Sequence, residues 1–425
     1  MSPRRRALLL ALGAAAGARG LAPAAAHAAG AAESVLADAA RVGPGAGSPA
    51  LTGAQASASV TGAPAEAPRG APPGEAPPAA PEVRPGAALV LPRDLGAHPD
   101  FRSEWWYVTG WLEEAEAADA GAARADWGFQ ITFFRTRTGV AAGHPSRFAA
   151  RELLSAHMAL SDPRAQRLRH DQRVARAGFG LAEASSADTD VVLRGWRLAR
   201  EGPLGAHRYV AALESAAQGF GLALRFDATQ PVLFQGDGGY SSKAPEPRHA
   251  SYYLSEPQLA ASGTLRADGR VHAVRGRAWL DHEWSEALLH PDAVGWDWIG
   301  MNLDDGAALT AFQLRRRDGS ALWAGGSFRA AGGAPRAFAA EEVRFTPLRR
   351  WASPATRARY PVHWRIETPA GRHEVRARFD AQELDGRAST GAVYWEGLSE
   401  LLDGAGRRVG RGYLELTGYA TALRL

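Results

Sequence analysis

The stretch His98–Gly110 reads HPDFRSEWWYVTG and sets Trp105, Trp106 and Tyr107 in a row behind Glu104. In an extended chain, successive side chains point to opposite faces. A strand here turns Trp105, Tyr107 and Trp111 one way and Glu104, Trp106 and Val108 the other. One face must then bury a carboxylate beside a tryptophan or expose the tryptophan. Glu104 is either chemistry inside a pocket or a structural acid at the strand's start, binding a backbone amide or an arginine.

The same two-residue rhythm recurs along the chain. WGFQITFF (127–134), VVLRGWRLAR (191–200), HRYVAALES (207–215), GLALRFDA (221–228) and GRAWLDHEW (276–284) are short alternating or apolar runs. Tight turns at 266–270, Asp305-Gly306, Asp318-Gly319 and 369–371 separate further runs. Long segments of helical period are few, and Arg151–Leu160 reads as one short helix. The fold class is therefore all-β, with regularly spaced strands suggesting two antiparallel barrels or sandwiches.

Composition removes several functions. The 425 residues carry a formal net charge of +4, but the arginines that supply it are spread along the chain, and Lys243 is the only lysine. No basic run beyond the N-terminus interleaves with aromatics, so nucleic acid is not an expected partner. The chain has no cysteine, which excludes disulfides, thiolate nucleophiles and zinc–thiolate sites. There is no Gly-x-Ser-x-Gly elbow, phosphate-cradling glycine loop or His-Glu-x-x-His. No cofactor and no metal are expected: His98, His249 and His282 could converge with Glu104, but no ligand spacing supports it.

The N-terminus has the pattern of an exported protein. Arg4, Arg5 and Arg6 precede the apolar run 7–16, and Ala26-His27-Ala28 resembles a cleavage site. Residues 1–28 read as a signal peptide, similar at its start to a twin-arginine signal, and the expected location is periplasmic or secreted. No later segment is apolar enough to span a membrane. Residues 29–86, rich in Ala, Pro, Gly and Ser, read as a disordered linker.

The Gly276–Ser285 stretch carries the candidate chemistry. As a strand it places Ala278, Leu280, His282 and Trp284 on one face and Arg277, Trp279, Asp281 and Glu283 on the other. The first face suits a barrel interior. His282 there could exchange a proton near neutral pH, and Trp284 could shelter a carbocation with its ring. Asp281 and Glu283 would point out of the barrel, solvated or paired with Arg275 or Arg277, unless a bulge shifts the register. Trp296 and Trp298 share a face opposite Asp297 and either pack between barrels or line a pocket. Glu415 shares a face with Tyr413, Thr417 and Tyr419.

HPDFRSEWWYVTGWLEE, SYYLSEPQLAASGTL (251–265), GRAWLDHEWS, GWDWIGMNLDDG (295–306), VYWEGLSE and GRGYLELTGY occur in that order. Together they resemble the AttH-like family, also called the carotenoid 1,2-hydratase (CrtC-like) lipocalin family. The resemblance implies two lipocalin-like β-barrels packed side by side, here over 87–287 and 288–425, with a deep apolar pocket for a long unsaturated molecule. It implies one of two functions. One is an exported protein binding a hydrophobic lipid, isoprenoid or polyene, accessory to an ABC transport system. The alternative is a lyase or isomerase-type enzyme, hydratase-like or cyclase-like, acting on an unsaturated isoprenoid or polyketide. The family's His-x-Trp pair aligns with His282 and Trp284. A tyrosine and an aspartate expected on a following strand are missing from Leu309–Leu314. In the enzyme reading His282 is the acid/base, with Asp281, Glu283 and Glu104 as catalytic partners. Trp106, Tyr107, Tyr252, Tyr253, Trp284, Trp296 and Trp298 form the substrate wall.

Overall fold

A computed structural model describes residues 81–115, 126–139 and 144–424. The signal peptide, and the linker as far as residue 80, lie outside the described residues. Among the described residues the protein is all-β, with two lipocalin-like barrels built on antiparallel sheets of 13 and 10 strands. In the first sheet the opening strand, Ser103–Glu114, lies between Asp126–Arg137 and the late strand Arg270–Ser285. The second sheet starts with Gly295–Leu303, which pairs with Ala308–Arg315 and with the last strand, Arg408–Leu416. The turn at 266–270 is a two-residue hairpin, its Asp268 and Gly269 both at positive φ, 52° and 74°.

Alternation fills the first barrel. Trp106, Val108 and Leu112 meet Ala278 and Leu280 from one neighbour and Phe129, Ile131 and Phe133 from the other. The segment read as a helix is instead the strand Glu152–Asp162, paired on both sides. Its Leu154, Ala156, Met158 and Leu160 all enter the core, so every second residue is apolar and buried. Pairing with two neighbours outweighs the helix-forming composition of this run. The linker also ends earlier than its composition suggests. Val83 is buried against Leu95, Tyr252 and Trp284, and the Arg84 backbone N–H donates to the Tyr252 hydroxyl at 3.1 Å.

The opposite faces of these strands are buried too. Tyr107, Trp111 and Trp279 of the first sheet pack on Trp298, Phe312, Leu398 and Tyr413 of the second. The sheets approach so closely that a Cβ at Gly128 would lie 2.6 Å from the Tyr413 hydroxyl and 2.8 Å from Leu398 Cβ. Only glycine fits there.

Glu104 closes one end of the first barrel. Its carboxylate accepts from the His98 backbone N–H at 2.9 Å, Arg135 Nε at 2.6 Å, His98 Nδ1 at 2.8 Å and His282 Nε2 at 2.9 Å. Arg135 also donates to the carbonyls of His98 and Phe101 at 2.7 and 2.8 Å, tying the turn before the strand to the strand beside it. Burial pushes the Glu104 carboxyl up, but the hydrogen bonds from His282 and His98 and the charge of Arg135 outweigh it and hold the group ionised, well below the usual carboxylate range. Removing one partner leaves a buried charge alone. Arg135→Met should therefore destabilise the protein by about 3–5 kcal/mol in urea unfolding, and adding Glu104→Gln should recover part of that loss.

Candidate active site between the barrels

The large cavity lies between the two sheets, not inside a barrel. It encloses about 550 Å³, a volume within the usual range for small-molecule pockets. Trp105, Tyr107 and Phe134 of the first sheet, together with Tyr253, form part of its wall, and Trp296, Trp298, Phe312 and Leu314 form another part. Trp105 stacks on Trp296 with ring centres 6.5 Å apart. Trp298 lies over Gly300, where a Cβ would come within 2.3 Å of its ring.

The polar groups in this wall come from strands whose register is fixed by the barrel cores. Because Leu280 and His282 point inward, Asp281 and Glu283 must point at the second sheet. They are neither solvated nor paired with Arg275 or Arg277, as an outward direction suggested, because a second sheet covers that face. Both are buried, at 4% and 6% exposure. Asp281 accepts from Tyr253 Oη at 2.7 Å, Ser255 Oγ at 2.5 Å and Trp279 Nε1 at 2.7 Å. Tyr253 in turn accepts from Trp298 Nε1 at 3.0 Å. Burial pushes the Asp281 carboxyl up to about 7 despite these donors. Glu283 is bound by Ser251 Oγ and by Lys243 Nζ, the latter at 2.9 Å.

The last strand brings Glu415 to the same cavity. Burial, with the charges of Asp281 and Glu283, raises it to about 8. Its cross-strand neighbour Glu396 is also pushed up, by burial and by Glu415, and it accepts a hydrogen bond from the Tyr107 hydroxyl. The cavity is thus an apolar room with two carboxyls raised toward neutrality, Asp281 and Glu415, and one Glu283–Lys243 pair. Such groups can give and take protons near neutral pH.

Of the residues singled out in the sequence, Asp281, Glu283, Glu104, Tyr107, Tyr253, Trp296 and Trp298 border the cavity. His282, Trp106, Trp284 and Tyr252 do not. His282 is 1% exposed and lies between Trp106 and Trp284, with ring centres 4.7 and 4.8 Å away. A carboxylate can only accept, so His282 carries its proton on Nε2 toward Glu104. Burial lowers its pKa and keeps it neutral, and Nδ1 has no partner among the described residues. Trp284 stacks on His98, 3.7 Å between ring centres, and Tyr252 packs with it under Val83.

His98, Glu104 and His282 offer ligand atoms within 4.8 Å of one another, a grouping the sequence spacing did not show. His249 instead stands against His290. Arg135 sits 2.6 Å from Glu104, so an ion shared by the three groups would face a guanidinium, and the donor set suits a hydrogen-bonded cluster better. Lys243 escaped the sequence reading as a site residue; its being the only lysine was the available signal. Trp105 and Glu415 were read only for their strand faces.

The AttH-like family model matches residues 82–419, and the chain belongs to that family. A crystal structure from Nitrosomonas europaea named as an AttH is 47% identical, with a TM-score of 0.72, covering 80% of this chain and 99% of that one. Kievitone hydratase from Nectria haematococca shares the fold at 15% identity and a TM-score of 0.58, over 81% of this chain and 94% of its own. No curated protein matches.

The raised acid makes a signed prediction. The folded state holds a proton on Asp281 that the unfolded state releases near pH 4, so wild type loses stability as pH rises from roughly 4 to 7. Asp281→Asn cannot ionise. Its stability relative to wild type should climb by about 1.4 kcal/mol per pH unit over that window. Parallel urea titrations at several pH values would show it, and a flat difference would mean that Asp281 is ionised throughout.

Proposed function

We propose that this member of the AttH-like family binds a hydrophobic, unsaturated molecule between its barrels and moves protons on it, as a hydro-lyase or isomerase does. One observation carries this reading: Asp281 and Glu415, raised to about 7 and 8, flank an aromatic cavity. A passive lipid site needs no carboxyls poised near neutrality, and burying them is costly. Asp281 and Glu415 act as proton donors, Glu283, paired with Lys243, as the acceptor, and Tyr107, Tyr253, Trp296 and Trp298 hold the ligand. His282 and Glu104 position the strand that presents Asp281 and Glu283. The N-terminal signal pattern supports an exported, periplasmic or secreted setting.

A second reading is a carrier that holds a lipid, isoprenoid or polyene and exchanges it with an ABC transport system. It is favoured by Leu309–Leu314, where the hydratase pattern asks for a tyrosine and an aspartate and the sequence has neither. In the structure Phe312 and Leu314 of this stretch add apolar surface to the cavity.

Native mass spectrometry of protein purified from its own host, with extraction of the bound molecules, separates the two. Catalysis predicts two related molecules from wild type, isomers or a pair differing by the elements of water, and one from Asp281→Asn. The same single lipid from both proteins would establish the carrier.

A further inference from the structure

Lys243 is the only lysine in a chain with 49 lysines and arginines, and it borders the cavity at 5% exposure. An ammonium is a compact point charge with three donors, where a guanidinium is a broad planar fork. Two of its donors go to Ser241 Oγ and Glu283 Oε1, both at 2.9 Å. Its tip stands 4.3 Å from the Phe312 ring centre and 5.0 Å from that of Tyr253. The ammonium, with three donors, thus lies beside aromatic walls with no third oxygen partner among the described residues.

We propose that Lys243 holds the oxygen of a carbonyl conjugated with the ligand's double bond, so that the ligand is an apolar enone or enal. The proposal rests on the cavity reading above and names its substrate class. Glu283 already pairs with Lys243, and Asp281 and Glu415 border the same cavity. An anionic ligand at Lys243 would lie beside the Glu283 carboxylate, whereas a neutral acceptor adds a partner to the ammonium without that repulsion. Protonating an isolated alkene from these carboxyls would leave a full carbocation in the cavity. A carbonyl polarised by a cation brings the adjacent carbon within their range. Lys243 is in this sense a residue that selects and orients the ligand.

The test compares probes of matched shape: chalcone, a conjugated ketone; trans-stilbene, the hydrocarbon; and cinnamate, the anion. Binding is read by quenching of the cavity tryptophans. Wild type should bind chalcone roughly tenfold to a hundredfold more tightly than stilbene. Lys243→Met should bring the two within about twofold by weakening chalcone alone. Because Lys243→Met strands Glu283, the double variant Lys243→Met/Glu283→Gln, checked for an intact thermal transition, serves as the control and should behave alike. An advantage for chalcone that survives in both variants, or tightest binding of cinnamate, overturns the assignment of the carbonyl to Lys243. Equal binding of chalcone and stilbene in wild type also overturns it but leaves the cavity reading standing. No binding of any probe removes both.

Discussion

Glu104 is a carboxylate kept ionised without water, and the placing of every group at the site follows from how that charge is held. Arg135 reaches it from one neighbouring strand and His282 from the other, while His98 folds back from the turn before it. Four donors converging on two oxygens fix three segments of chain in one register. A slip of one residue would carry the carboxylate to the opposite face, away from all of them, and would leave buried Arg135 with Glu152 alone as its anion. The register of Ser103–Glu114 against Arg270–Ser285 is thus locked at one end by charge and along its length by Trp106, Val108 and Leu280.

That lock determines the other face. With His282 and Trp284 turned inward, the intervening Asp281 and Glu283 have only the inter-barrel space to enter. The second sheet covers them, and this is what makes acids of a barrel exterior into buried groups. The aromatic residues around them exclude water, raise Asp281 and Glu415, and leave the hydroxyl of Tyr253 as the hydrogen-bonding link between Trp298 and Asp281. The site is a property of two sheets meeting, and neither sheet contains it alone.

Much of this was legible in the sequence. The alternation in HPDFRSEWWYVTG and GRAWLDHEWS assigned each side chain to the correct face, and the turn chemistry marked the hairpin at Asp268-Gly269. The all-β class followed from the same rhythm, failing only at Glu152–Asp162, where a short run rich in Leu and Ala fits either period. What the sequence could not supply was the covering sheet. A strand has two faces, and its pattern does not say whether the second meets water or another domain. Asp281 and Glu283 therefore read as surface acids, and the interior histidine drew the chemical assignment. Lys243 lies outside any strand pattern, so periodicity was silent about it.

The balance of charge in the cavity argues for a coupled site. Asp281, Glu283 and Glu415 border one cavity with the single ammonium of Lys243. One cation can offset one carboxylate, and Glu283 lies nearest it. Ionising any further acid adds a like charge beside Glu283, and burial together with the charges of Asp281 and Glu283 raises Glu415. Protons in such a set belong to the cluster more than to any one residue. A ligand oxygen drawn to Lys243 would weaken its hold on Glu283, making that carboxylate a stronger base, and the proton it then attracts would come from the ligand, a bound water or a neighbouring carboxyl. In the proposed function, binding and proton movement in this cavity would be linked through one ammonium.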